Sequence, residues 1–459
     1  MKKNFSIIIT ISSLLFFKLA AASNLPLDIF PINNYPQSIE FWFNENNDKI
    51  YSNDQLYPLK KDSLLVTKTM QAAHYNHLIQ NYYGTNLRDS SPWAMPYIVN
   101  IVKKYNLALI ELRAIQNFTN DPDKSENQQT YAINYIPYTT NWSEEILKNM
   151  NLESFMLHKF IYKLQNRAIT TTNIALRIVP TDAPVFLNYQ IAGEGYPFDN
   201  NQASKVDIAT PVYVVTTSKD GVWSLIITPY TWGWAPTRSV AYVNNNFIHK
   251  WQESIKKYGL LAIIKSNTPI LLRTQNILGL KKTSTTKKPA KISYQKQFVY
   301  DTAFISAIFP NAKPSSIYSE HMRNSNNNYI LIPTKNYKTN MAEITVAEIS
   351  KNNSVIMPYE LTLWHILAML KNLQGRPYSW GGTLNYNDCS AEIQSIFIPF
   401  GFYVPRNSSQ QQNIGRVVDL SSLNALDRQK YLLEYGVPFL TLVYIKSHVM
   451  LYVGNTDYF

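Results

Sequence analysis

Only one cysteine, Cys389, occurs in 459 residues. That scarcity excludes an intrachain disulfide framework and any cysteine-rich zinc or iron–sulfur site. Acidic residues are also in short supply: 31 Asp and Glu face 43 Lys and Arg, for a formal net charge of +12. A basic chain can meet nucleic acid, an anionic membrane surface or an acidic wall polymer, and charge alone does not choose among them. Away from the amino terminus no apolar run is long enough to span a bilayer. No internal repeat stands out beyond two β-rich blocks. What the chain does have is 45% hydrophobic residues, enough to build cores and to exclude a disordered polymer. Its length suggests roughly three domains.

The amino terminus reads as an address. Lys2 and Lys3 give a positive start, residues 5–17 are almost wholly apolar, and Ala20, Ala21 and Ala22 supply small residues for cleavage. This is the pattern of a secretory signal over residues 1–22. Its apolar run falls short of the ~20 residues of a spanning helix. No cysteine lies near the cleavage point, which excludes a lipoprotein anchor. The expectation is an exported protein, periplasmic or secreted. It has no stable membrane span after cleavage and no nucleic-acid partner.

Residues 23–167 read as a helical region. Apolar residues recur at spacings of three and four over 71–83 and 94–115. Ser143, followed by Glu144 and Glu145, predicts a helix start. From about residue 168 the texture becomes β-rich. Strands are predicted from Ile174, from Pro211 to Val215 and from Val222 to Ile227, with a hairpin turn at 218–221. Closely spaced short strands suggest a small barrel over 168–250 and a second, related one over 255–350. The second holds a basic, Thr-rich insert, KKTSTTKKPAK at 281–291, read as a solvated loop. From 357 onward the pattern is α+β, opening with an amphipathic helix over 362–373.

The chemistry gathers in that last segment. Cys389 stands where a loop enters a helix, and a helix start offers free N–H groups and positive partial charge. Both favour thiolate over thiol. Asp388 and Ser390 flank it with polar groups that a packing cysteine does not need. His448 opens an apolar run, 448–453, that predicts a buried central strand. A thiolate with an imidazole is the minimum for nucleophilic acyl transfer. His74 and His77 share a helix face with no third ligand nearby, and no metal or other cofactor is expected.

The runs PYSWGG at 377–382, DCS at 388–390, PFGFYVPRNS at 399–408 with Gln411, and HVMLYVG at 448–454 resemble the NlpC-type papain-like cysteine peptidases. Upstream, Arg177, Pro180, the GYPFD run at 195–199, Gln202, Asp220, Gly221, Trp223, Gly233 and Trp234 resemble the bacterial SH3 domain that precedes the peptidase in one branch. The fold implied is multidomain: a helical N-terminal region, two small SH3-like β-barrels and a C-terminal α+β papain-like peptidase domain over 357–459. The activity implied is a cell-wall endopeptidase that cuts between γ-D-glutamate and a diamino acid, meso-diaminopimelate or lysine, in peptidoglycan stem peptides. Cys389 then matches the nucleophile, His448 the general base and Tyr378 the hydroxyl beside the nucleophile. Asp388, Ser390, Ser408 and Trp380 match substrate-side positions; the resemblance does not fix which SH3 residue meets the peptide's free amine, and Glu194 is the candidate. The family also carries a third polar residue, one strand beyond the histidine, that orients the imidazole. Residues 455–459 (NTDYF) offer no match to it. That departure implies a shortened or degenerate C-terminus, and the alternative reading is a wall-peptide-binding protein with impaired catalysis.

Overall fold

The computed structural model describes residues 50–52, 55–57, 62–85, 89–275, 294–313 and 326–454. The signal at 1–22, the insert at 281–291 and residues 455–459 lie outside the described residues.

A short hairpin, β1 (Ile50–Ser52) with β2 (Gln55–Tyr57), precedes helix α1 (Lys68–Tyr83). Thr67 caps α1 by accepting from the Met70 N–H at 3.2 Å. The single helix expected over 94–115 is instead three pieces: α2 (Met95–Val99), a π-helical turn (Asn100–Lys104) and α3 (Leu107–Phe118). Asn106 breaks the path at φ 52°, a left-handed conformation that asparagine tolerates better than most residues. α4 (Thr140–Asn149) starts three residues before the predicted Ser143. Thr139 caps it by accepting from Trp142 N–H, while Ser143 is buried and donates back to the Thr140 carbonyl.

The first β-rich block is one antiparallel sheet of seven strands: β3 (Arg167–Thr170), β4 (Ile174–Arg177), β5 (Gln202–Val206), β6 (Pro211–Thr217), β7 (Trp223–Ile227), β8 (Trp232–Pro236) and β9 (Val240–Tyr242). Their order is β5-β4-β8-β7-β6-β3-β9. Helix α5 (Asn245–Tyr258) then runs through the boundary expected between the barrels. The second block has two sheets. β10 (Leu260–Ile263) lies between β13 (Ile308–Pro310) and β16 (Ser354–Ile356). β11 (Thr268–Gln275), β12 (Tyr294–Ala303), β14 (Asn327–Lys335) and β15 (Ala342–Ser350) form the other, in the order β12-β11-β15-β14. The unit therefore closes at Ile356, where β16 returns to β10.

The last segment holds α6 (Leu363–Leu373), α7 (Cys389–Phe397), α8 (Ser408–Gln411), α9 (Ala425–Tyr435) and a hairpin of β17 (Thr441–Ile445) and β18 (His448–Tyr452). β18 was predicted to be buried and central. Among the described residues it pairs with β17 alone, and Val449 is buried while Met450 is exposed. Val449 packs with Ile393 and Ile396 of α7, so one face of the strand makes the core and the other does not.

The boundary near 167 separates secondary structures but not cores. Leu107, Ile115 and Phe118 of α3 pack with Tyr213, Leu225 and Trp234 of the first barrel. Leu78 and Tyr82 of α1 pack with Trp251 of α5 and with β10. Each large side chain buried this way contributes about 1.5–3 kcal/mol, so the helices and barrels stabilise one another. Among the described residues no helix is long and apolar enough to cross a membrane.

Candidate active site

α7 begins at Cys389 because Asp388 caps it, accepting from the Ala391 N–H at 2.9 Å. The cap is itself clamped. Arg406 donates to Oδ1 through Nη1 at 3.0 Å and to Oδ2 through Nη2 at 2.5 Å, and the Ser390 hydroxyl donates to Oδ1 at 3.0 Å. Burial pushes the Asp388 carboxyl up, but the Arg406 charge and these hydrogen bonds outweigh it and hold the group below the usual carboxylate range. Cys389 is half-buried in the first turn of α7, where backbone N–H groups are free of intrahelical partners.

Tyr378 reaches the same place from the preceding loop. A backbone bridge joins it to Asn387, and Ser379 N–H donates to the Asn387 carbonyl at 2.9 Å. The Tyr378 hydroxyl lies near the Cys389 backbone N–H and side chain. Burial first, then the neighbouring Cys389 and Asp388, push its phenol well above the ordinary value, so it keeps its proton at neutral pH. Its proton is available to the sulfur or to an oxygen bound there.

His448 follows a tight turn in which Ser447 takes φ 72°. Tyr378, Asp388, Cys389 and His448 all line one cavity of about 370 Å³. Arg376 and Glu392 line it too, and Ile393, Ile396 and Val449 give it an apolar wall. A thiol, an imidazole and a protonated phenol around one space supply a nucleophile, a base and a hydrogen-bond donor for acyl transfer.

The other predicted residues lie elsewhere. Ser390 is expected on the substrate side, yet it is buried. Its hydroxyl donates to Asp388 and accepts from Arg406 Nη1 at 2.7 Å, because α7 turns it into the protein one residue past Cys389. Asp388 touches the cavity, but its carboxylate is occupied by the clamp. Ser408 opens the short α8 and is not among the cavity's lining residues. Trp380 is partly exposed, with its ring edge-on to Phe198 of the first barrel at 6.2 Å. Glu194 lies in the barrel loop near Asn200, away from the cavity lining, and burial raises its carboxyl. His77 bonds Asn81 and His74 stacks on Phe402, so the two histidines have packing roles.

Sequence reasoning assigned no role to Arg406, Arg376 or Glu392. Arg406 carried a signal, a lone arginine in a Pro-Arg-Asn-Ser run, but its partner 18 positions upstream is set by the fold. Glu392 accepts from Asn387 at 2.7 Å, one turn after the nucleophile.

Comparison with known proteins finds matches in two segments of the chain. Residues 184–236 match the SH3 domain of the SH3b1 type, and residues 375–459 match the NlpC/P60 family. The gamma-D-glutamyl-L-lysine dipeptidyl-peptidase of Bacillus subtilis (strain 168) is 36% identical over 82 residues, 18% of this chain and 26% of that protein. The chain thus spans about a quarter of the length of that curated relative. The solved structure of an NlpC/P60 endopeptidase from Photobacterium damselae subsp. piscicida is similar at a TM-score of 0.64 and 25% identity, covering 87% of this chain and 79% of that one. The segment that holds Cys389, Tyr378 and His448 therefore belongs to the NlpC/P60 family, and an SH3 domain of the SH3b1 type stands before it.

Proposed function

We propose that the chain is a cysteine endopeptidase of the cell wall. It hydrolyses the bond between γ-D-glutamate and a diamino acid, meso-diaminopimelate or lysine, in peptidoglycan stem peptides. The observation that carries this reading is the meeting of Cys389, Tyr378 and His448 on one cavity at the start of α7. The named activity of the Bacillus subtilis relative supports the choice of bond. The signal pattern at 1–22 supports an exported protein, periplasmic or secreted, where such peptides are found.

In the proposed mechanism His448 takes the Cys389 proton, and the thiolate attacks the γ-glutamyl carbonyl carbon. Negative charge grows on the carbonyl oxygen, and the Tyr378 hydroxyl and the Cys389 N–H donate to it. His448 then returns its proton to the leaving amine of the diamino acid. Water, deprotonated by the same imidazole, cleaves the thioester and frees the thiol. Asp388 takes no part in proton transfer; clamped by Arg406, it fixes where the helix begins.

The test is release of a free diamino acid from L-Ala-γ-D-Glu-meso-diaminopimelate by the purified chain and by Cys389→Ala. Turnover by the first and none by the second is expected. Equal traces from both would sink the enzyme reading and leave a wall-peptide-binding protein.

A further inference from the structure

The two reacting groups come from different pieces of backbone, Tyr378 from a loop and Cys389 from a helix. A backbone bridge of Tyr378 with Asn387 joins the two pieces, and a strand of the SH3 domain also touches both. On the loop, Gly381 and Gly382 take φ 61° and 79°, and a Cβ at Gly381 would stand 2.5 Å from the Gln202 carbonyl oxygen. One at Gly382 would stand 2.7 Å from Lys205 Cβ. The loop therefore lies against β5 of the SH3 domain at backbone distance, which only glycine permits. Gln202 ties it there: its Nε2 donates to the Gly381 carbonyl at 3.1 Å, while its Oε1 accepts from Arg177 Nη1 at 3.0 Å. Arg177 is anchored in turn on Asp199 at 2.8 Å.

On the helix side, Arg406 uses Nη1 and Nη2 for Asp388 and Ser390. Its remaining donor, Nε, goes to Ser204 Oγ at 3.0 Å. Gln202 and Ser204 are two apart on β5, on either side of a register shift in its pairing with β4; both are buried, and both side chains reach the peptidase segment.

We propose that the stretch of β5 holding Gln202 and Ser204 is a positioning element of the peptidase site. Gln202 fixes the loop of Tyr378, Ser204 fixes the Arg406–Asp388 clamp under Cys389, and the SH3 strand thereby sets the distance between phenol and thiol. The proposal rests on reading Cys389 and Tyr378 as the reacting pair. It adds that the SH3 domain completes the site as well as adjoining it.

The experiment uses the full chain and the variants Gln202→Ala, Gln202→Glu, Ser204→Ala and Ser204→Thr. Gln202→Glu keeps the acceptor for Arg177 and loses the donor to Gly381, so it separates positioning from folding. For Gln202→Ala, Gln202→Glu and Ser204→Ala, kcat on the tripeptide should fall about tenfold or more while KM stays within about twofold, the pattern of a misplaced reacting group. Ser204→Thr, which keeps the hydroxyl, should restore kcat. A wild-type kcat in Gln202→Glu with an unchanged melting temperature would overturn the proposal, as would losses confined to KM. If the wild-type chain cleaves no such peptide, the functional reading fails by itself. Positioning is then read from the rate of Cys389 alkylation by iodoacetamide, which should differ about threefold or more between wild type and the same three variants. Identical alkylation rates would overturn it.

Discussion

Beside each of the first barrel's two joints stands a buried carboxyl, and the two end in opposite charge states. Toward the helical region, Glu111 of α3 accepts from Trp234 Nε1 at 2.7 Å inside a shared apolar core. Burial pushes its carboxyl up to about 8, and the indole hydrogen bonds from Trp234 and Trp232 only partly oppose that. Toward the peptidase domain, Asp388 is also buried, yet a guanidinium faces it and the carboxyl stays below its usual range. Neutral donors do not repay the loss of water around a carboxylate; a paired cation with a full set of hydrogen bonds does. The helical joint is therefore held by apolar packing around a neutral acid. The peptidase joint meets a directional ionic clamp through the Arg406–Ser204 hydrogen bond, and that clamp is the one beside Cys389.

The sharpest way to break this contrast is Asp388→Ala. It leaves Arg406 buried without its partner and should cost about 3–5 kcal/mol in denaturant unfolding. A cost near zero would mean that the clamp is solvated in solution. The pH dependence should differ in sign between the joints. Glu111 is protonated in the folded chain and ionised in the unfolded chain between about 4.5 and 8, so its burial removes stability as pH rises through that window. Asp388 has a lowered value when folded, so its contribution is present above the ordinary carboxylate range and is lost as pH falls through it. In thermal melts Glu111→Gln should flatten the alkaline limb by a few degrees and leave the acid limb alone, roughly as expected for 1–2 kcal/mol in a domain of this size. A parallel shift of both limbs would remove the distinction. The smallest effect belongs to a contact outside both joints: Thr139→Ala removes the cap of α4 and should cost about 1 kcal/mol.

Much of the site was legible in the sequence because it is local. A cysteine preceded by an aspartate cap and followed by a helix is a short-range pattern, and Tyr378 lies only eleven positions before it. The strand opened by His448 was readable as a strand, but its burial was not, since burial depends on which face meets α7. The first barrel's hairpin at 218–221 was readable from its turn residues. The break at Asn106 escaped because the apolar spacing continues through it. Arg406, Gln202 and Ser204 escaped for another reason. Their partners lie 18, 179 and 202 positions away, and no periodicity carries information over such distances.

Which bond is cut can be read by incubating the chain with the tetrapeptide L-Ala-γ-D-Glu-meso-diaminopimelate-D-Ala and identifying the fragments by mass. The expected products are L-Ala-γ-D-Glu and meso-diaminopimelate-D-Ala, absent with Cys389→Ala. Release of free L-Ala or free D-Ala as the first product would contradict the proposed choice of bond.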